Sequence, residues 1–129
     1  MMRNTILICD DEPDIVFLTE KFLKHGEYET ITCNNGKEAL KIIEDKFEHI
    51  VLLLLDIMMP GLSGFEVLRS IKNDDRYKDI FVILFTVKSF KEDIQKGKDL
   101  GADGYITKPF KGEDLLNYVK EILEKKKKE

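Results

Sequence analysis

Apolar residues gather in five short runs: Thr5 to Cys9, Tyr28 to Cys33, Ile50 to Leu55, Ile80 to Phe85 and the shorter Gly104 to Ile106. Each is the length of a strand, far below the ~20 apolar residues that a membrane span requires. The unbroken run Ile50 to Leu55 suits a strand buried on both faces of a parallel sheet. It ends at Asp56, and Ile57-Met58-Met59-Pro60-Gly61 cannot continue it. Between the runs the apolar positions recur with helical period. A first helix follows Pro13, with Ile15, Leu18 and Phe22 on one face, and stops at His25-Gly26, where glycine can take a left-handed cap. A second runs from near Gly36 through Ala39, Leu40, Ile43 and Phe47, and a third begins near Ser63-Gly64, carries Phe65, Leu68 and Ile71, and breaks at Asn73-Asp74. The last contains Leu115, Val119, Ile122 and Leu123.

The fourth helix, roughly Lys91 to Leu100, has only Ile94 and Leu100 as large apolar residues and carries Gly97 in its interior. An interior glycine costs ~1 kcal/mol relative to alanine. This helix is therefore expected to be the least firmly anchored of the five. Strands alternating with helices imply right-handed crossovers and an α/β fold, a doubly wound, five-stranded parallel sheet covered by five helices.

Composition narrows the picture further. At 129 residues the chain is one ordinary domain in size, and 43% hydrophobic residues can fill its core. A net charge of −4 lacks the basic surplus of a dedicated nucleic-acid binder. The Lys125 to Lys128 run reads as a solvated helix end, its cations suited to the dipole and spaced four residues from Glu121 and Glu124. The first apolar run is too short for a signal-peptide core, so export is not expected. Cys9 and Cys33 each close an apolar run and are expected as reduced thiols in a cytoplasmic protein. His25 and His49 read as surface residues without chemistry, and Tyr118 and Phe90 as helix-face packing or part of a partner surface.

In a parallel sheet all strand C-termini lie on one edge, which brings Asp10-Asp11-Glu12, Asp56, Thr86 and Thr107-Lys108 together. Carboxylates so close raise one another's pKa unless a cation is present. Oxygen donors without histidine or thiol favour Mg²⁺ or a similar hard ion. Lys108 and Thr86 add a positive charge and a hydroxyl, completing an anion site centred on Asp56. A carboxylate can itself attack phosphorus and become an aspartyl phosphate, with the metal and Lys108 neutralising the equatorial oxygens.

These residues resemble a receiver domain of the two-component response regulators. The matching elements are Asp10-Asp11, the segment Asp56-Ile57-Met58-Met59-Pro60-Gly61-Leu62-Ser63-Gly64, Thr86, and Lys108-Pro109-Phe110, in order on four successive strand ends. The resemblance covers essentially Asn4 to Leu123. It implies the flavodoxin-like strand order 2-1-3-4-5, of which the chemotaxis response regulator is one example. It implies that Asp56 accepts a phosphoryl group from a partner histidine kinase or histidine phosphotransfer protein. Asp11 would ligate Mg²⁺ directly, Asp10 through it or its waters, and Met58 through its backbone carbonyl. Lys108 would pair with Asp56 at rest and with the phosphoryl group afterwards. Thr86 would swing toward the phosphoryl oxygen and Tyr105 follow, switching the surface around helix 4, strand 5 and helix 5. Pro109 would follow a cis bond.

The expected domain spans 1–124, with a lysine-rich tail over 125–129. With no effector domain following, the expected role is stand-alone signalling or a phosphorelay through a downstream protein target, without direct nucleic-acid or membrane binding, as a monomer or weak dimer. Such a domain assists its own phosphorylation and dephosphorylation without being an enzyme in the ordinary sense. Val87 departs from the family pattern, which generally has a small residue after the threonine, and its branched side chain would narrow access to the phosphoryl group. Two other readings stay open. A metal-dependent phosphohydrolase of the haloacid dehalogenase type also uses an aspartyl nucleophile, although its Asp-x-Asp pattern is not met by Asp10-Asp11-Glu12. The third reading is a flavodoxin-like binding module that is never phosphorylated.

Overall fold

The computed structural model describes residues 4–87 and 91–127, with side chains through 125. Five parallel strands, β1 (Thr5–Cys9), β2 (Glu29–Cys33), β3 (Ile50–Asp56), β4 (Phe81–Val87) and β5 (Gly104–Lys108), form one sheet in the order β2-β1-β3-β4-β5. The doubly wound expectation and the order 2-1-3-4-5 both hold. Helices α1 (Pro13–His25), α2 (Gly36–Lys46), α3 (Gly64–Lys72), α4 (Lys91–Asp99) and α5 (Gly112–Lys127) connect the strands.

β3 lies at the centre of the sheet, and its side chains alternate between two separate cores. Leu53 and Leu55 join Leu7, Val67, Leu68 and Ile71 on one face, while Leu52 and Leu54 join Ile6, Ile8, Phe85 and Val119 on the other. Burial on both sides explains why the run has no polar alternation. Each leucine fully removed from water contributes ~1.5–3 kcal/mol, so the strand that carries Asp56 is strongly held.

Three strands run past the ends of their apolar runs, because ladder pairing rather than hydrophobicity ends them. Asp56 pairs with Phe85, Thr86 with Thr107 and Val87 with Lys108. The polar site residues are thus the last rungs of strands, not the first residues of loops. β2 begins at Glu29, and Tyr28 packs with the α1/α5 core instead.

Helix ends follow ordinary capping chemistry. The Asn35 side chain accepts the Glu38 amide at 2.8 Å, and the Ser63 hydroxyl accepts the Glu66 amide at 3.3 Å. Gly26 does not take the left-handed conformation expected of it: its φ is −82°, and Glu27 makes the turn at φ 69°. The buried stripe of α1 is centred on Thr19 and Leu23, flanked by the half-buried Leu18 and Phe22. A short 3₁₀ turn at Asp75–Tyr77 was not legible in the sequence; it is capped by Asp74 and buries Tyr77 edge-on to Phe47. Among the described residues no ion pair joins Glu121 to Lys125, in keeping with the side-chain entropy such exposed pairs must overcome. Phe90 lies outside the described residues.

Candidate functional site

The C-terminal edge of the sheet gathers the expected residues. Carboxylate oxygens of Asp10, Asp11 and Asp56 lie within 4.8 Å of one another. Asp10, Asp56 and Thr86 are buried, at 1%, 5% and 3% exposure, whereas Asp11 faces solvent. Backbone amides orient the two buried carboxylates: Glu12 N–H donates to Asp10 Oδ1 at 2.9 Å, and Met58 N–H to Asp56 Oδ1 at 3.3 Å. Met58 itself projects into solvent.

The loop after Asp56 turns back tightly over the strand. Gly64 N–H donates to Ile57 O at 3.1 Å, and a side chain at Gly64 would collide with the Asp56 carbonyl. Only glycine allows α3 to start this close to the carboxylate's backbone.

Lys108 pairs with Asp56 as expected, but not with Asp56 alone. Its Nζ lies 2.7 Å from Asp10 Oδ2, 3.0 Å from Glu12 Oε1 and 3.7 Å from Asp56 Oδ1. At rest the lysine is therefore shared, and Asp10 holds it more closely than Asp56 does. The ammonium also lies 5.6 Å above the Phe85 ring, and Phe85 stacks on Phe110 at 5.4 Å. The Lys108–Pro109 peptide bond is cis.

Electrostatics follow from this geometry. Burial, and then the charge of Asp10, push the Asp56 carboxyl up to about 7, against the opposing pull of Lys108 and the Met58 amide. Burial alone would lower the Lys108 ammonium, but hydrogen bonds to Asp10 and Glu12 and the charge of Asp56 raise it on balance. One lysine thus fails to compensate the clustered carboxylates. An oxygen-only donor set with an under-compensated buried carboxylate fits a hard divalent cation.

Thr86 lies near the end of β4, and Tyr105 lies on the neighbouring β5, where it pairs with Leu84 two rungs further back. Thr86 Oγ1–H donates to the Val87 carbonyl at 3.4 Å, so the hydroxyl is only weakly engaged. Tyr105 is about one-third exposed, with Lys98 Nζ 5.5 Å above its ring, and its amide donates to the Tyr118 hydroxyl at 3.3 Å. Tyr118 thereby serves as packing and as an acceptor across β5. Val87, the register partner of Lys108 at the end of β4, is 42% exposed. His25 and His49 are exposed.

Sequence reasoning assigned no partner to Glu12 and no role to Phe85. Glu12 follows the acidic pair directly, and Phe85 precedes the threonine, so adjacency was the available signal. Which carboxylate the lysine prefers had no signal at all.

The model of the response regulator receiver domain matches residues 6–120. The phosphate regulon transcriptional regulatory protein PhoB of Pseudomonas aeruginosa is 38% identical over 123 residues, covering 95% of this chain and 53% of PhoB. The regulatory protein VanR of Enterococcus faecium is 42% identical over 127 residues, covering 98% of this chain and 53% of VanR. The chain spans about half the length of these curated relatives. Among solved structures, the chemotaxis response regulator CheY4 of Vibrio cholerae superposes with a TM-score of 0.86 at 28% identity, over 94% of this chain and 99% of that one. The BeF3-activated DrrB receiver domain gives 0.82 at 36% identity, over 95% and 99%.

Proposed function

The chain belongs to the response regulator receiver domain family, and on that premise we propose that Asp56 is its phosphoacceptor, with Asp10, Asp11, Asp56 and the Met58 carbonyl holding Mg²⁺. The observation that carries this reading is the convergence of three carboxylates within 4.8 Å beside the Lys108 ammonium. When bound, Mg²⁺ supplies positive charge to the transferring phosphoryl group and keeps Asp56 ionised.

The remaining roles fall to the chain itself. Buried strand β3 fixes the Asp56 carboxylate as the attacking oxygen, so most of the barrier is met by positioning. Lys108, at 3.7 Å from Asp56, is within reach of an oxygen added there. The Thr86 hydroxyl, weakly bonded to its neighbour's carbonyl, is free to turn toward that oxygen. Tyr105 then follows, which changes the surface formed by α4, β5 and α5. The donor is a histidine kinase or histidine phosphotransfer protein, and the output is a downstream protein target, with neither nucleic acid nor membrane bound directly. No described helix is long and apolar enough to cross a membrane. The receiver unit is residues 1–124 with a lysine-rich tail at 125–129, working in the cytoplasm as a monomer or weak dimer. Its chemistry is acceptance and loss of one phosphoryl group rather than turnover of small esters.

Incubation with a small phosphodonor and Mg²⁺, followed by intact mass, tests this. The parent gains one phosphoryl group and an Asp56→Asn variant gains none. An unlabelled parent, given competent donor and metal, overturns the reading. Repeated release of phosphate from a small ester would instead favour the phosphohydrolase.

A further inference from the structure

Glu12 occupies the N-cap of α1, a position where Ser, Thr, Asp or Asn usually stands because a short side chain can accept a helix amide. The longer glutamate makes no such bond. Its backbone is nevertheless fixed: the carbonyl accepts the Ile15 and Val16 amides, both at 3.1 Å, and the amide donates to Asp10 Oδ1 at 2.9 Å. Pro13 follows as the first helical residue and restricts the chain further. The carboxylate, released from capping, reaches instead to Lys108 and accepts from its Nζ at 3.0 Å.

A lysine ammonium carries three donors. Here two carboxylates lie within hydrogen-bond distance, Asp10 Oδ2 at 2.7 Å and Glu12 Oε1 at 3.0 Å, while Asp56 Oδ1 stands off at 3.7 Å. A phosphoryl oxygen on Asp56 must compete with the two closer contacts for the ammonium. Those contacts differ in what they can give up. Asp10 Oδ2 is buried and, among the described residues, has no partner besides this lysine, so losing it strands a buried charge. The Glu12 side chain is 60% exposed, and water can take the lysine's place around it.

We propose that Glu12 is a positioning residue that holds Lys108 back from Asp56 and competes with a phosphoryl group there for the ammonium. Occupation of Asp56 draws Lys108 toward the new oxygen, and the Glu12 contact is the one that opens. The hold of Glu12 therefore lowers the affinity of the pocket for a phosphoryl group and destabilises the phosphorylated state. Glu12 makes and breaks no covalent bond; it acts through Lys108. An ion pair with one exposed partner shifts an equilibrium by about two- to fivefold, which sets the size of the effect.

The proposal rests on Asp56 being the phosphoacceptor with Mg²⁺ beside it, and one titration separates the two. The full chain, saturated with Mg²⁺, is titrated calorimetrically with beryllium fluoride, whose BeF3 group stands in for a phosphoryl group on a carboxylate oxygen. Glu12→Gln keeps the length of the side chain and removes its charge, and is expected to bind about threefold more tightly than the parent. Glu12→Asp keeps the charge but falls one methylene short of Lys108, and as an N-cap its carboxylate turns to the α1 amides. It is expected to bind as tightly as Glu12→Gln. The exposed side chain takes no part in the backbone bonds that fix this turn, so both variants keep the fold.

A charge that merely repels an anion would leave Glu12→Asp with the parent's affinity, and that result overturns the proposal. Glu12→Gln with the parent's affinity overturns it equally. A parent that binds no beryllium fluoride overturns the reading of Asp56, and the proposal with it.

Discussion

α3 and α4 are both nine residues long, yet α3 buries Gly64, Val67, Leu68 and Ile71 whereas α4 buries Gly97 alone. α3 starts against the backbone of Asp56 and carries a Ser63 cap, so the loop that frames the acceptor is tied to the core. α4 meets its surroundings through Gly97 set close against Leu84 and through two long cations, Lys96 Nζ 4.6 Å over the Phe65 ring and Lys98 Nζ over Tyr105. Exposed contacts of that kind are worth ~0.5–1 kcal/mol. The contrast shows a chain that spends its apolar residues on holding the acceptor still and leaves the adjoining helix inexpensive to move.

The largest expected effect lies in α3. Leu68→Ala should destabilise the protein by ~2–5 kcal/mol in denaturant melts, and Ile94→Ala in α4 by under ~1 kcal/mol. Equal losses at the two positions would erase the contrast.

The pH response tests the electrostatic side of the anchored region. Asp56 is raised from 3.8 to about 7 in the folded state, so the native protein binds the extra proton between those values. Stability without metal therefore falls as pH rises from about 4 to about 7, the reverse of an ordinary paired carboxylate. The raised Lys108 ammonium keeps its contribution through this window, since it is lost only in alkali. In chelator, Asp56→Asn should be more stable than the parent by ~4 kcal/mol at pH 8 and about equal to it near pH 4. Thermal melts at the two values decide it, and identical profiles would refute the assigned strain.

Gly97 offers a finer probe. Alanine there would gain ~1 kcal/mol of helix propensity, but its Cβ would collide with buried Leu84. The net expectation is a loss of ~1 kcal/mol, with faster amide exchange in α4 than in α3. A stabilised Gly97→Ala protein would mean that α4 is not held close to β4.

The smallest effect is expected at Val87. Being 42% exposed, its replacement by alanine should change stability within ~0.5 kcal/mol while speeding labelling by a small phosphodonor. An unchanged labelling rate would remove Val87 as a restriction on access.

Much of this was legible in the chain itself. Hydrophobic period is a local property, so it located all five strands and all five helices, the poorly anchored α4 included. The site residues were legible because a parallel sheet places every strand's C-terminal end on one edge, which turns Asp10, Asp11, Asp56, Thr86 and Lys108 into neighbours once the topology is known. Strand ends were less legible: Asp56, Val87 and Lys108 belong to the ladder through their partners, which lie far away in sequence. The positive φ of Glu27 in place of Gly26 and the turn at Asp75–Tyr77 depend on packing against α5 and Phe47 in the same way.

What the sequence by itself determined was the sheet, its covering helices and the inventory of charges on one edge, because these follow from periodicity and strand direction. Only the tertiary structure decided that Lys108 rests nearer Asp10 than Asp56, that Glu12 shares it, and that Cys9 and Cys33 stand side by side. Those outcomes turn on differences of about an ångström between competing partners, and an interaction that falls off with distance is set by the packing of the whole domain.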